Sequence, residues 1–443
     1  MKTGIGTILF TFCFIFTANV TFAKGFSTNK IILDIELDRE IFYTGKPVKA
    51  VLKVSVKSRG RTKRRVPVNL AILIDRSASM KGAKMQMALR SAIYAAKRLG
   101  KNDIVSIVTY GNSVETVIPA GTSFNEEDLA KVNSIQPSGN TALFSGISRA
   151  IHEIRKNLNK NFINRIIIIS DGFANIGITD TEDFERLGAS LKKERISVST
   201  IGIGTEYNED LMVGISQKSS GNSYFVETAK KLLKVFETEI SLLTSVVARD
   251  ISLKIKCQNG VIPIRIVGRE GRINNSTITL NLDQLCRYQK KFALLEIIVP
   301  KGKSLKNIGI ASANVTYEDP LLKRDRDIEG AISASYSDKE NIVKSSENYD
   351  VQKSYIKNLN AISNEKALKL LDKGKKKEAV SELKESTKRL REAVNINKDE
   401  DVLLEAEEMK QDLEEVTKKG KFSKKKRKFL KMKSFKTRNQ QAD

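Results

Sequence analysis

The sequence has no tryptophan, one histidine, seven prolines and three cysteines in 443 residues. A single histidine excludes His-rich zinc sites and the two-His metalloprotease motif. So few prolines, with 26 glycines and 40% hydrophobic residues, exclude a collagenous, low-complexity or wholly disordered chain. No phosphate loop ending in Gly-Lys-Ser/Thr occurs, and Gly202-Ile203-Gly204 lacks the third glycine of a dinucleotide loop. Acidic residues are in deficit: 52 Asp+Glu stand against 77 Lys+Arg, for a formal net charge of +25. That excess favours acidic partners. It is also uneven, because Lys418 to Asp443 holds twelve basic residues and one acid. The length leaves room for two to four domains at roughly 100–200 residues each.

Long apolar runs are scarce as well. One lies at the N-terminus, where Lys2 precedes Ile8-Leu9-Phe10 and Phe12 to Phe16, and smaller residues lead to Ala23. A basic start, a short apolar core and a small residue at the cut are the parts of a secretory signal, expected over residues 1–23. Cys13 sits behind Phe12, which is too bulky for lipoprotein processing. The expected location is therefore secreted or periplasmic. The alternative is an uncleaved N-terminal membrane anchor, since residues 4–23 are just long enough to span a bilayer. After cleavage Cys257 and Cys286 remain. In an oxidising compartment they are a candidate disulfide; the other reading is two buried free thiols.

Residues 24–65 form a first β-segment, with the alternating runs Ile31–Leu37 and Val48–Val56 on either side of a Gly45-Lys46-Pro47 turn. The pattern then changes to near-continuous apolar runs such as Val68–Ile74 and Ile166–Ile169, as strands buried on both faces require. Strand candidates at 104–110, 114–118, 165–169, 198–203 and 223–226 alternate with helix candidates at 83–99, 142–159, 181–194 and 228–246. This alternation predicts a doubly wound, Rossmann-like α/β domain over residues 66–247. Residues 248–334 return to alternating strands. Neither β-segment is long enough to bury a good core alone, so the two are expected as halves of one β-sandwich with the α/β domain inserted in or flanked by it. Residues 335–350, rich in Ser, Asp, Asn and Lys, read as a linker. Residues 351–417 carry three apolar stripes at helical spacing and predict a tetratricopeptide-like helical bundle. Residues 418–443 read as a basic disordered tail, with Lys424, Lys425, Lys426, Arg427 and Lys428 as candidates for binding an anionic surface.

The chemistry-bearing constellation begins where the first α/β strand ends, at Asp75-Arg76-Ser77-Ala78-Ser79. Carboxyl ends of such strands are where open α/β sheets place ligands. Gly139-Asn140-Thr141 adds a hydroxyl before a helix, and a second buried strand ends in Ser170-Asp171-Gly172. Three hydroxyls and two carboxylates are hard oxygen donors, suited to Mg2+, Ca2+ or Mn2+. With so few carboxylates the ion keeps much of its charge for an incoming acidic group. Ordinary helix capping by Ser77, Ser79 and Thr141 explains each residue singly but not the set.

In these residues the sequence resembles the von Willebrand factor type A (VWA) domain with its metal-ion-dependent adhesion site. It is most similar to exported bacterial members related to inter-alpha-trypsin-inhibitor heavy chains. The resemblance implies that Ser77, Ser79 and Thr141 contact the metal, while Asp75 and Asp171 act through water. Ala78 stands where many members have glycine. An enzymatic reading lacks a base, since the only histidine, His152, falls on a helix with nothing to complete a triad. The expectation is an exported, non-enzymatic binding or adhesion protein that captures an exposed carboxylate of a protein ligand through the metal. The alternative is an envelope-associated structural protein held to anionic membrane or cell-wall polymer by its tail. No base-reading motif favours nucleic acid.

Overall fold

The computed structural model describes residues 26–27, 30–59, 64–397 and 399–441. The expected signal segment, residues 1–23 with Cys13, lies outside them. Four strands come first: β1 (Phe26–Ser27), β2 (Ile31–Leu37), β3 (Ile41–Tyr43) and β4 (Val48–Ser58). An α/β unit follows, with β5 (Val68–Asp75), α1 (Ala83–Arg98), β6 (Ile104–Tyr110), β7 (Val114–Gly121), α2 (Glu126–Asn133) and α3 (Leu143–Lys156). It continues through β8 (Ile163–Ser170), α4 (Thr181–Lys193), β9 (Ile196–Ile203), α5 (Glu209–Lys218), β10 (Ser223–Val226) and α6 (Leu232–Leu243). Seven more strands are β11 (Val246–Cys257), β12 (Ile262–Val267), β13 (Gly271–Asn274), β14 (Thr277–Cys286), β15 (Lys290–Val299), β16 (Asn307–Asp319) and β17 (Arg324–Ser337). The chain ends in α7 (Glu340–Ser345), α8 (Tyr349–Asp372), α9 (Lys376–Asn397), α10 (Glu400–Lys419) and α11 (Lys424–Asn439).

The central sheet has the order β10-β9-β8-β5-β6-β7, parallel except for β7. Helices cover both faces, so Ile166 to Ile169 are fully buried although they alternate in direction. Two further sheets, β1-β2-β4-β15-β12 and β13-β14-β11-β16-β17-β3, pack into a β-sandwich. Both draw strands from before and after the α/β unit. Their inner faces share one core that includes Leu52 and Val54 from one sheet and Ile255 and Val315 from the other. The α/β domain is therefore an insertion in the sandwich.

Three expectations are corrected. Residues 335–350 are not a free linker. Ser335 to Ser337 pair in parallel with Ile41 to Tyr43, α7 follows, and Asn348 caps α8 by accepting from Val351 N. The polar residues that suggested flexibility serve there as caps and turns. Over their described part, 418–441, residues 418–443 are not a disordered tail but ordered: α11 lies against α8, α5 and β10. Nor do Cys257 and Cys286 form a disulfide, both thiols being free and buried. The β11–β14 register sets Val246 opposite Cys286 and Lys256, next to Cys257, opposite Thr277. The two sulfurs thus sit at opposite ends of one ladder, some ten residues or about 30 Å apart at 3.3 Å per residue. They also belong to different cores. A disulfide needs Cα atoms within about 7 Å.

Candidate metal centre

β5 carries Asp75 to the edge of the sheet fully buried. Its Oδ1 accepts the Ser77 amide at 2.8 Å, and its Oδ2 accepts the Ser170 hydroxyl at 2.9 Å and the Tyr110 phenol at 3.3 Å. Burial pushes the Asp75 carboxyl upward in pKa, an effect its serine donors oppose. Burial and the neighbouring Asp75 charge push Tyr110 well above the usual phenol range, so it remains a donor. Tyr110 is pressed into place by α3, where a Cβ on Gly146 would come within 2.9 Å of its side chain.

The loop after β5 makes a 3-10 turn, Ala78–Met80, with the Met80 side chain buried as its anchor. Backbone bonds tie it to the loop before α3: Ala78 N donates to Gly139 O at 3.0 Å and Ser138 N to Arg76 O at 2.6 Å. Thr141 N donates to Asn175 Oδ1 at 2.9 Å and Asn175 N to Thr141 O at 3.2 Å, which joins in the loop after β8. Three loops from three strand regions are thus fastened to each other around the sheet edge.

The five expected residues meet there. Ser77 Oγ and Ser79 Oγ are 3.1 Å apart, and Ser79 Oγ donates to Asp171 Oδ1 at 2.7 Å. A Cβ placed on Gly172 would find Thr141 Oγ1 at 3.4 Å, Ser79 Oγ at 3.6 Å and Ser77 Oγ at 4.0 Å. Three hydroxyl oxygens therefore converge on one small space that only glycine leaves open. Lys84, on the first turn of α1, reaches the same place: its Nζ donates to Asp171 Oδ2 at 2.5 Å. An ammonium on that oxygen shows that a positive charge is accommodated. Hard oxygen donors with two carboxylates fit a hard divalent cation. Among the described residues no group of three or more His, Cys, Asp or Glu is placed to hold a metal ion, so at this site hydroxyls make up most of the donor set. The Ala78 methyl is exposed and leaves every hydroxyl in position.

Residues 69–238 match the von Willebrand factor type A domain family. The chain carries a VWA domain. Over 229 residues it is 29% identical to the protein YfbK of Escherichia coli, covering 51% of this chain and 40% of that one. Over 188 residues it is 26% identical to mouse inter-alpha-trypsin inhibitor heavy chain H2, covering 40% of this chain and 20% of that one. The chain thus spans less than half the length of these curated relatives. Among solved structures, the ArnB paralog VWA2 of Sulfolobus acidocaldarius superposes with a TM-score of 0.59 at 18% identity, over 92% of this chain and 98% of that one. A von Willebrand factor type A protein of Catenulispora acidiphila gives 0.62 at 16% identity, over 84% and 90%. Coverage that wide shows the fold shared well beyond the VWA domain. VWA domains are typically metal-dependent protein-interaction domains.

Sequence reasoning missed Lys84, Tyr110 and Asn175. Tyr110 ends the strand beside β5, and Asn175 follows Asp171 by four residues, so position alone was the available signal. His152 lies exposed on α3, outside the site. The basic cluster at 424–428 is corrected in role: Lys424 pairs with Glu206, Lys425 with Glu227, Lys426 with Asp412, Arg427 with Glu209, Asp210 and Asp372, and Lys428 with Glu209. Arg427 and Lys428 are thereby committed within the molecule, while Lys424 and Lys425 stay largely exposed in surface pairs.

Proposed function

We propose that this protein is an exported, non-enzymatic binding protein that captures a carboxylate of a protein partner through a divalent cation in its VWA domain. Ser77, Ser79 and Thr141 would contact the ion, with Asp75 and Asp171 behind them, and the ion would be Mg2+, or Ca2+ or Mn2+, as hard oxygen donors require. The carrying observation is the convergence of three hydroxyls around Gly172 between two strand-end carboxylates. A binding role is favoured because the serine hydroxyls bond one another and Asp171, whose carboxylate is itself paired with Lys84, while His152, the one histidine of the sequence, lies outside the site. Attachment to anionic surfaces through residues 424–428 is less favoured, since Arg427 and Lys428 are already held by Glu209. Export rests on the signal-like residues 1–23 alone; the two free thiols lend it nothing.

Capture of a purified partner on immobilised full-length protein in Mg2+ tests the reading. Binding should be lost on EDTA addition, restored by Mg2+, and weakened by Thr141→Ala. Binding indifferent to EDTA would refute it. N-terminal sequencing of the protein from periplasm or medium should begin after Ala23.

A further inference from the structure

The loop that follows Asp171 is unusually apolar for so exposed a place. Phe173, Ile176 and Ile178 are 50%, 37% and 40% exposed, while Ala174 between them packs inward against the domain core. Clustered exposed apolar side chains on a rigid loop mark interaction surfaces more often than chance exposure does. This loop is rigid where it matters, because Asn175 is bonded in both directions to Thr141. Three large apolar groups thus stand on the loop held to one of the three hydroxyl residues.

Two cations stand on the same edge as the Asp75 and Asp171 carboxylates, and only one of them, Arg76, has no carboxylate partner among the described residues. Lys84 lies on Asp171, and the Arg76 guanidinium is held by two hydroxyls, Ser138 at 2.9 Å and Ser113 at 2.8 Å, with no carboxylate on it. A bound divalent ion would add to them. The surface therefore complements an anion on one side and an apolar group on the other.

We infer that the partner segment read by this site is a peptide in which a carboxylate lies next to a large apolar side chain, the carboxylate on the metal and the apolar group on the Phe173–Ile176–Ile178 rim. This rests on the metal-dependent capture proposed above and adds a selectivity that the metal cannot supply, since one cation accepts any carboxylate. Burial of an aromatic or aliphatic anchor beside a charged contact is how small interfaces gain specificity.

The test is panning of a random heptapeptide display library over immobilised full-length protein in Mg2+, with elution by EDTA. The eluted pool should be enriched in Asp or Glu adjacent to Phe, Leu, Ile or Met. A Phe173→Ser/Ile176→Ser double variant should bind Mg2+ as the wild type does and keep the acidic preference. It should lose the apolar enrichment, and its affinity for the best peptide should fall at least tenfold. An acidic pool without apolar enrichment, or a double variant that keeps it, overturns this inference and leaves metal-dependent capture standing. A pool that EDTA does not elute overturns both. Sedimentation velocity supplies the remaining check: a dimer that the double variant dissociates would make a second copy the occupant and overturn the peptide assignment.

Discussion

Asp75 and Thr141 show how differently two members of one site are built. Asp75 is buried under three donors, so its loss would strand buried polar groups as well as remove a charge; Thr141 is fixed through its backbone and offers its hydroxyl to the Gly172 space. Thr141→Ala is therefore the cleaner substitution. It should weaken divalent-ion binding by about tenfold or more, on the scale of a lost charge-assisted contact, with an unchanged melting temperature. Away from the site, Lys291 is buried and donates to Leu282 O at 3.2 Å, and burial pushes its ammonium down to about 8. Between about pH 8 and its usual 10.5 the unfolded chain binds a proton that the folded chain does not, so stability rises with pH there. The thiols of Cys257 and Cys286 act oppositely: burial raises them from 9.0 to about 11, so above pH 9 the unfolded chain loses protons that the folded one retains. Urea denaturation should accordingly show stability rising from pH 8 to 9 and turning over beyond it. Lys291→Met should abolish the rise; a wild-type profile in that variant would contradict the assignment. The five expected site residues were legible in the sequence because four lie at or just after the ends of β5 and β8 and Thr141 lies just before α3. Lys84 and Asn175 were not, because what places them is a tertiary approach between loops.

Helices were legible in proportion to how one-sided their burial is. α3 buries a regular stripe, Leu143, Ile147, Ala150, Ile151 and Ile154, and its period stood out. α2 buries only Val132, and α5 buries nearly every residue from Glu209 to Ser216, so neither shows a stripe. The second case has a visible cause in α11, which covers the outer side of α5. Its residues also explain the basic run that composition alone read as a tail: the Arg427 guanidinium is shared by Glu209, Asp210 and Asp372, and Lys428 donates to Tyr207 O at 2.8 Å. A like-charge block reads as disordered until its counter-charges, all but Asp412 more than fifty residues away in sequence, are known. At its far end Gln441 bonds both the N–H and C=O of Ser223 and so closes the free edge of β10. Arg427→Ala removes a cation shared by three carboxylates, of which Glu209 keeps Lys428 and Asp210 keeps Lys431, and should cost about 1 kcal/mol. Hydrogen exchange should localise that loss to α11 and the first turn of α5. Protection unchanged there would show the ion pairs to be incidental.

At the scale of the molecule, the insertion of the VWA domain was legible because the strand pattern changes from alternating to continuous and back. How the parts dock was not, since the contacts involve single polar residues with no periodicity. α11 touches all three parts: Lys424, Lys425, Arg427 and Lys428 on the VWA domain, Arg438 on Gly268 O of the sandwich and on Glu365 of α8. The separately moving helical segment expected from a 335–350 linker is replaced by a strapped unit. Deletion of residues 421–443 should therefore split a single calorimetric unfolding transition into two, with the VWA domain melting first; one undivided transition would show that α11 is not the strap. The fold and its strap serve a site whose defining property is the cation. Isothermal titration of Mg2+ into the full-length protein is the direct measurement. The account predicts saturation at one ion per chain in the wild type and an affinity at least about tenfold lower in Thr141→Ala. Absence of saturable heat in the wild type, or equal affinity in the variant, would contradict it.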